Sequence, residues 1–222
     1  MSKWPVHATW SGPIVMIGFG SIGRGTLPLL LRHIACNKAK ITIIDPSATW
    51  SHLIEKEGIA FVKQEITKQN YKSILTPLLT VGPGQAMIVN LTVDVGSIDI
   101  IKLARETNSL CIDTVNEPWP GFYYNTKLDN ADRTNYKVRE DLLEVRRKLG
   151  VGPTAVSCCA RLRSSAGSSA CACAVCASTW RRSNSDATPA SKRKRCNAVE
   201  ARRVEIVRLV TATWASSARR LK

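Results

Sequence analysis

Pro13-Ile14-Val15-Met16-Ile17-Gly18 is an apolar run with no alternation, the pattern of a strand buried on both faces of a helix-covered parallel sheet. Residues 22–33 follow with helical spacing, and Pro28 inside them predicts a kink. The β-branched run 41–45 predicts a second strand, 50–57 a helix closed by Gly58, and 59–66 a third strand. Further along, 71–79 reads as helix, 87–92 as strand, 98–106 as helix and 110–114 as a fifth strand. A charged helix near 133–149 leads through Gly150-Val151-Gly152-Pro153 into a sixth strand at 154–159. Short strands alternating with helical crossovers predict an α/β, doubly wound parallel sheet.

The first strand-to-helix turn carries recognisable chemistry. Gly18-Phe19-Gly20-Ser21-Ile22-Gly23 spells G-x-G-x-x-G between a strand and a helix, the setting that a dinucleotide fingerprint requires. Gly18 permits the tight turn, Gly20 lets backbone approach a pyrophosphate, and Gly23 allows helix and strand to pack closely. Ser21 and Ile22 open the helix, whose free N–H groups and positive dipole end suit an anion. Asp45 closes the second strand, where a carboxylate accepts hydrogen bonds from ribose hydroxyls and repels a 2′-phosphate, so NAD is expected over NADP. A structural glycine turn is the weaker alternative. Ligands of such sheets bind at the carboxyl ends of the strands. That rule singles out Thr92, Val93 and Asp94 after strand four, Thr114 to Pro118 after strand five, and Ser157-Cys158-Cys159 after strand six. Thr92 and Val93 are expected to border the nicotinamide end. Asp94 and Glu117 are candidate site carboxylates, with a solvated loop acid or helix cap as the even alternative for each. The Cys158-Cys159 pair reads as buried strand filler.

Net charge changes the picture only once it is divided. The whole chain carries +15, which alone would suggest nucleic acid. Residues 1–150 hold 18 Lys and Arg against 14 Asp and Glu, whereas residues 151–222 hold 14 against 3. The basicity belongs to the tail. From Ala160 onward, Ala, Ser, Arg and Cys supply 38 of 63 residues, and Phe, Tyr, Met, Gln and His are absent. That is the composition of GC-rich codons read in a shifted frame. The expected organisation is a domain at 1–159 and a frameshifted basic tail at 160–222 without a fold of its own. Cys171, Cys173, Cys176 and Cys196 lack zinc-site spacing and histidine partners, so no metal is expected. Lys192-Arg193-Lys194-Arg195 is read as solvated charge, and 199–210 as a marginal amphipathic helix. No apolar run reaches the ~18 residues of a membrane span, and residues 1–10 lack a signal-peptide core, so a cytoplasmic protein with no membrane partner is expected.

Longer strings carry a closer likeness. WPV, GPIVMIGFGSIGRGTLPL, IIDP, YKSILTPLLT, NLTVD, IDTVNEPWPGFY, RTNY and TAVSCC, in that order, resemble the N-terminal part of the bacterial homospermidine synthases, a branch of the saccharopine-dehydrogenase-like oxidoreductases. The resemblance covers residues 3 to about 159. Asn116 departs from it, standing where the family has an apolar residue, and Pro120 stands where Leu is expected. The resemblance implies an enzyme with tightly held NAD. Putrescine is oxidised to an imine, condensed with a second putrescine with loss of ammonia, and reduced to homospermidine, and the resemblance implies a homodimer for the full-length family. It further implies catalytic roles for Glu117 and Asp94, and diamine contacts from Glu117 and Trp119, because a diammonium calls for carboxylates and aromatic faces. For Trp119, packing is at least as good a reading. The chain is expected to be a shortened, inactive form. A basic protein holding nucleic acid through its Arg-rich tail is the alternative. Thermal stabilisation by NAD marks the first, and steeply salt-sensitive binding the second.

Overall fold

The structure is a computed structural model and describes residues 4–150, 152–153 and 155–157. In chain order the strands are β1 (Ala8–Trp10), β2 (Ile14–Ile17), β3 (Ile34–Cys36), β4 (Ile41–Asp45), β5 (Ala60–Lys63), β6 (Met87–Asn90), β7 (Leu110–Asp113) and β8 (Ala155–Ser157). Between them lie α1 (Ser21–His33), α2 (Ser51–Lys56), α3 (Tyr71–Leu79), α4 (Ser97–Glu106) and α5 (Asn135–Leu149). Six strands form one parallel sheet in the order β5-β4-β2-β6-β7-β8. The chain leaves β2 first towards β4 and later returns on its other side at β6. That reversal is the topological switch point, where the loops separate and leave a crevice at the carboxyl edge.

Alternation along the strands builds two core layers. Ile14 and Met16 of β2 face one side, where they meet Leu27 and Leu30 of α1, Ile54 of α2, and Ile41, Ile43, Met87, Val89 and Ile112. Val15 and Ile17 face the other side, against Leu75 and Leu79 of α3 and Ile100 and Leu103 of α4. Both faces are covered, which is why these strands read as continuous apolar runs.

The expected α/β doubly wound sheet is the one observed; β4 and α3 keep the expected bounds, α1 and α4 begin one residue earlier, and β5 ends three residues sooner than expected. Pro28 lies within α1, where it removes one backbone donor without ending the helix. A second, two-stranded parallel pair was not anticipated: Ala8 aligns with Ile34 and Trp10 with Cys36. Three-residue strands are too short for a period to declare itself, and β3 runs directly on from the helical stretch. Helix α5 buries Val138 alone and is tied at its ends. The Thr134 side chain accepts from Lys137 N–H, and Arg105 donates to the carbonyls of Leu149 and Gly150. No described helix is long and apolar enough to cross a membrane. The 159/160 boundary, Cys158-Cys159, the tail cysteines, Lys192–Arg195 and the 199–210 stretch lie outside the described residues.

Candidate functional site

The three glycines of the first turn have three distinct environments. Gly18 has φ +91°, and a Cβ there would sit 3.2 Å from both Leu91 backbone and Thr92 Cβ. A side chain at Gly23 would fall 2.5 Å from the Gly18 carbonyl oxygen, so the helix–strand contact depends on its absence. Gly20 is the contrast: a Cβ there would meet nothing within 4 Å. Packing explains the first and third glycines; space for something outside the protein explains the second. Gly20 also caps α1 without a side-chain acceptor, and the first turn holds no acidic residue. Ser21 is exposed and Ile22 half-buried at the head of the helix. The head of α1 thus has neither a side-chain cap nor an acidic residue in its first turn to offset its positive end, which leaves it suited to an anion.

Asp45 ends β4 beside this turn. Its Oδ2 accepts from Phe19 N–H at 2.6 Å, inside the glycine loop, and its Oδ1 accepts from Ser47 N–H at 2.7 Å. The carboxylate is thereby fixed in direction, and each oxygen keeps a lone pair for another donor. Gly20 thus leaves open space beside a fixed carboxylate.

On the far side of the switch point, Thr92 is half-buried against Gly18, while Val93 and Asp94 are exposed. Asn90 and Asp113, the last residues of β6 and β7, are register partners and both buried; Asn90 Nδ2 donates to Asp113 Oδ2 at 3.1 Å. Burial pushes the Asp113 carboxyl up to about 7, opposed by hydrogen bonds from Ser97, Asn90 and Val115 N–H. Ser97, at the head of α4, stitches down the loop that follows. Its N–H donates to the Glu117 carbonyl, its hydroxyl to the Val115 carbonyl, and it accepts from Glu117 N–H. Glu117 is half-buried, and its Oε2 accepts from Tyr123 O–H at 3.0 Å.

Two expected residues are turned inward. Thr114 is buried, and both its N–H and its hydroxyl donate to the Asn90 carbonyl. Trp119 lies against Gly96 and Tyr71, and its indole N–H donates to Asp99 at 2.7 Å. Its engagement is with the α3–α4 layer. Thus the structure gathers Gly18, Gly20, Ser21, Ile22, Gly23, Asp45, Thr92 and Val93 around the crevice, with Asp94 and Glu117 on adjoining loops of the same edge. Asn90, Ser97, Asp113 and Tyr123 were missed by sequence reasoning. Polar residues ending two apolar strands were the available signal for the Asn90–Asp113 pair. Nothing comparable marked Ser97 or Tyr123.

The model of the saccharopine dehydrogenase NADP binding domain matches residues 14–156, from the first residue of β2 into β8. The chain belongs to that family. Within this saccharopine dehydrogenase family, homospermidine synthase of Blastochloris viridis is 54% identical over 159 residues, which are 72% of this chain and 33% of the relative. Homospermidine synthase of Mesorhizobium japonicum is 53% identical over 157 residues, 71% of this chain and 32% of the relative. The chain spans about a third of the length of the curated relatives it matches. The crystal structure of the homospermidine synthase from Legionella pneumophila in complex with NAD superposes with a TM-score of 0.54 at 26% identity. The match covers 63% of this chain and 28% of that one.

Proposed function

We propose that this chain supplies the NAD-holding part of a homospermidine-synthase-type reaction on a diamine, putrescine above all. The observation that carries the reading is the open cradle at Gly20 with Asp45 locked beside it, on a chain more than half identical to two homospermidine synthases. When bound, NAD supplies a hydride acceptor and afterwards a hydride donor, so a condensation of two amines needs no net oxidant. The chain's own residues do the rest. The α1 amides and Gly20 hold the pyrophosphate, and the Asp45 carboxylate accepts the ribose hydroxyls, which favours NAD over the 2′-phosphorylated form. Thr92 and Val93 border the ring end of the crevice. Glu117, steadied by Ser97 and Tyr123, and the exposed Asp94 offer negative charge to an ammonium group. The same reading carries the homodimer implied by the sequence resemblance, together with the expected cytoplasmic location.

Thermal unfolding of the full chain with added NAD tests the proposal. At a hundred times Kd the stabilisation is about 2.7 kcal/mol. No shift in the unfolding midpoint at millimolar NAD would overturn it. Incubated with putrescine and NAD, the chain should yield no homospermidine by mass spectrometry, as a shortened and inactive form requires, and clear turnover would overturn that expectation.

A further inference from the structure

Arg24 and Trp50 form a pair that the cradle itself does not account for. Arg24 stands one turn into α1, and its Nε donates back to the Gly20 carbonyl at 3.4 Å, so the side chain leans over the turn that carries the fingerprint. Its guanidinium carbon lies 4.0 Å from the centroid of the Trp50 ring. Trp50 caps α2, five residues beyond Asp45, and remains 39% exposed. The intervening loop is braced: Ser47 N–H donates to Asp45, the Ser47 and Thr49 hydroxyls share a hydrogen bond of 2.7 Å, and Thr49 N–H donates to Ser47 Oγ. Trp50 is therefore presented on an ordered segment. Among the described residues no carboxylate pairs with Arg24.

A guanidinium is flat and has two faces. Trp50 lies against the guanidinium at 4.0 Å, and Arg24 is only half-buried, so a second ring has room to approach it. The loop that carries Trp50 begins at Asp45, the residue placed to hold the adenine ribose, so a base attached to that ribose reaches this same loop. An electron-rich purine stacks on a guanidinium by cation–π attraction.

We propose that Arg24, held in plane by Trp50, is the stacking platform for the adenine base of the dinucleotide, an inference that rests on the dinucleotide reading above. The platform recognises a purine face, so ADP, which carries base, ribose and pyrophosphate, engages it as NAD does. Cation–π attraction supplies the affinity, and only a planar cation realises it by stacking. That separates this role from a charge contact to a 2′-phosphate, which a lysine would also provide.

Calorimetric titration of the full chain with NAD, ADP and NADP decides between these roles. Arg24→Ala and Arg24→Lys should each weaken NAD and ADP by roughly tenfold, within the range of a cation–π contact. Trp50→Ala should weaken both by a smaller factor by releasing the plane. Unchanged thermal unfolding without ligand should show that these surface variants fold. Wild-type affinity for NAD in Arg24→Lys, or a loss confined to NADP, would overturn the platform in favour of a charge contact. Wild-type NAD and ADP affinity in Arg24→Ala would overturn it while leaving the dinucleotide reading standing. Failure of the unaltered chain to bind either NAD or ADP would overturn both.

Discussion

Replacing Asn116 by valine should make this protein more stable, although it removes a polar group from the loop beside Glu117. Asn116 is 2% exposed, and neither Nδ2 nor Oδ1 has a hydrogen-bond partner. Its backbone carbonyl is satisfied by Asn135 Nδ2 at 2.7 Å, so the deficit belongs to the side chain. An unpaired buried donor or acceptor costs about 1–3 kcal/mol of desolvation. Valine removes both atoms and loses none of the observed bonds. After the restriction of a β-branched side chain, about 0.5 kcal/mol, is subtracted, the expected gain is about 0.5–2.5 kcal/mol. In a domain of 150–250 residues each kcal/mol raises the midpoint by about 2–4 °C. Thermal unfolding followed by circular dichroism, paired with urea titration at pH 7, measures it. Asn116→Ala should gain less, because the deleted volume leaves a cavity behind. A valine variant less stable than the parent by 1 kcal/mol or more would refute the reasoning, since it would mean that the amide has a partner worth keeping.

Gly20→Val should fold, costing about 1 kcal/mol at the helix cap, yet lose NAD binding altogether; retained affinity in titration would remove Gly20 from the cradle. Asp45→Ala should weaken NAD and narrow its advantage over NADP while leaving Phe19 N–H unpaired, and unchanged affinities for both nucleotides would end the ribose assignment. Asp113, with its carboxyl raised from 3.8 to about 7, binds more protons folded than unfolded between those values. Stability should therefore fall as pH rises from about 4 to 7, by up to about 4 kcal/mol. Asp113→Asn should flatten that fall in urea midpoints taken at pH 5 and 7.5, and parallel profiles would refute it.

Strands β2, β4, β6 and β7 were legible because burial on both faces keeps them mainly apolar up to their last residue, and each is bounded by a turn or a helical stretch. The glycine turn was legible for a different reason: three glycines at that spacing each answer a separate steric demand, two of them visible as near-collisions at Gly18 and Gly23. The polar substructure at the strand ends was not legible. Ser97 bonds to Val115 and Glu117 across some twenty positions of chain, and no local pattern marks such a pairing. Thr114 was assigned to a ligand because it lies on the correct loop, and Trp119 because a diammonium calls for an aromatic face, with packing as an equally good reading. A loop's place in the topology does not say which of its side chains fold back, and Asp99 and the Asn90 carbonyl had already claimed these two.

The two sides of the crevice are built on opposite plans, and the difference bears on what each can do. On the proposed reading, backbone is the recognition element around β2 and β4, where Gly20 leaves room and α1 opens without a side-chain cap. Around β6 and β7 the loop backbone is tied to side chains, Glu117 and Val115 to Ser97 above all. Glu117 has its N–H and its carbonyl both tied to Ser97, so freedom remains only in its side chain, and Tyr123 takes one carboxylate oxygen. The second oxygen, Oε1, has no partner among the described residues. A carboxylate held in this way meets an ammonium group with little ordering left to do, which is the condition under which positioning lowers a barrier. On the proposed reading, the cofactor side binds by leaving space and the diamine side by removing motion. Loosening Ser97 would then harm the second without touching the first: Ser97→Ala should leave NAD affinity unchanged and weaken whatever amine Glu117 holds. Equal losses for NAD and diamine would show that the two sides are not separately built.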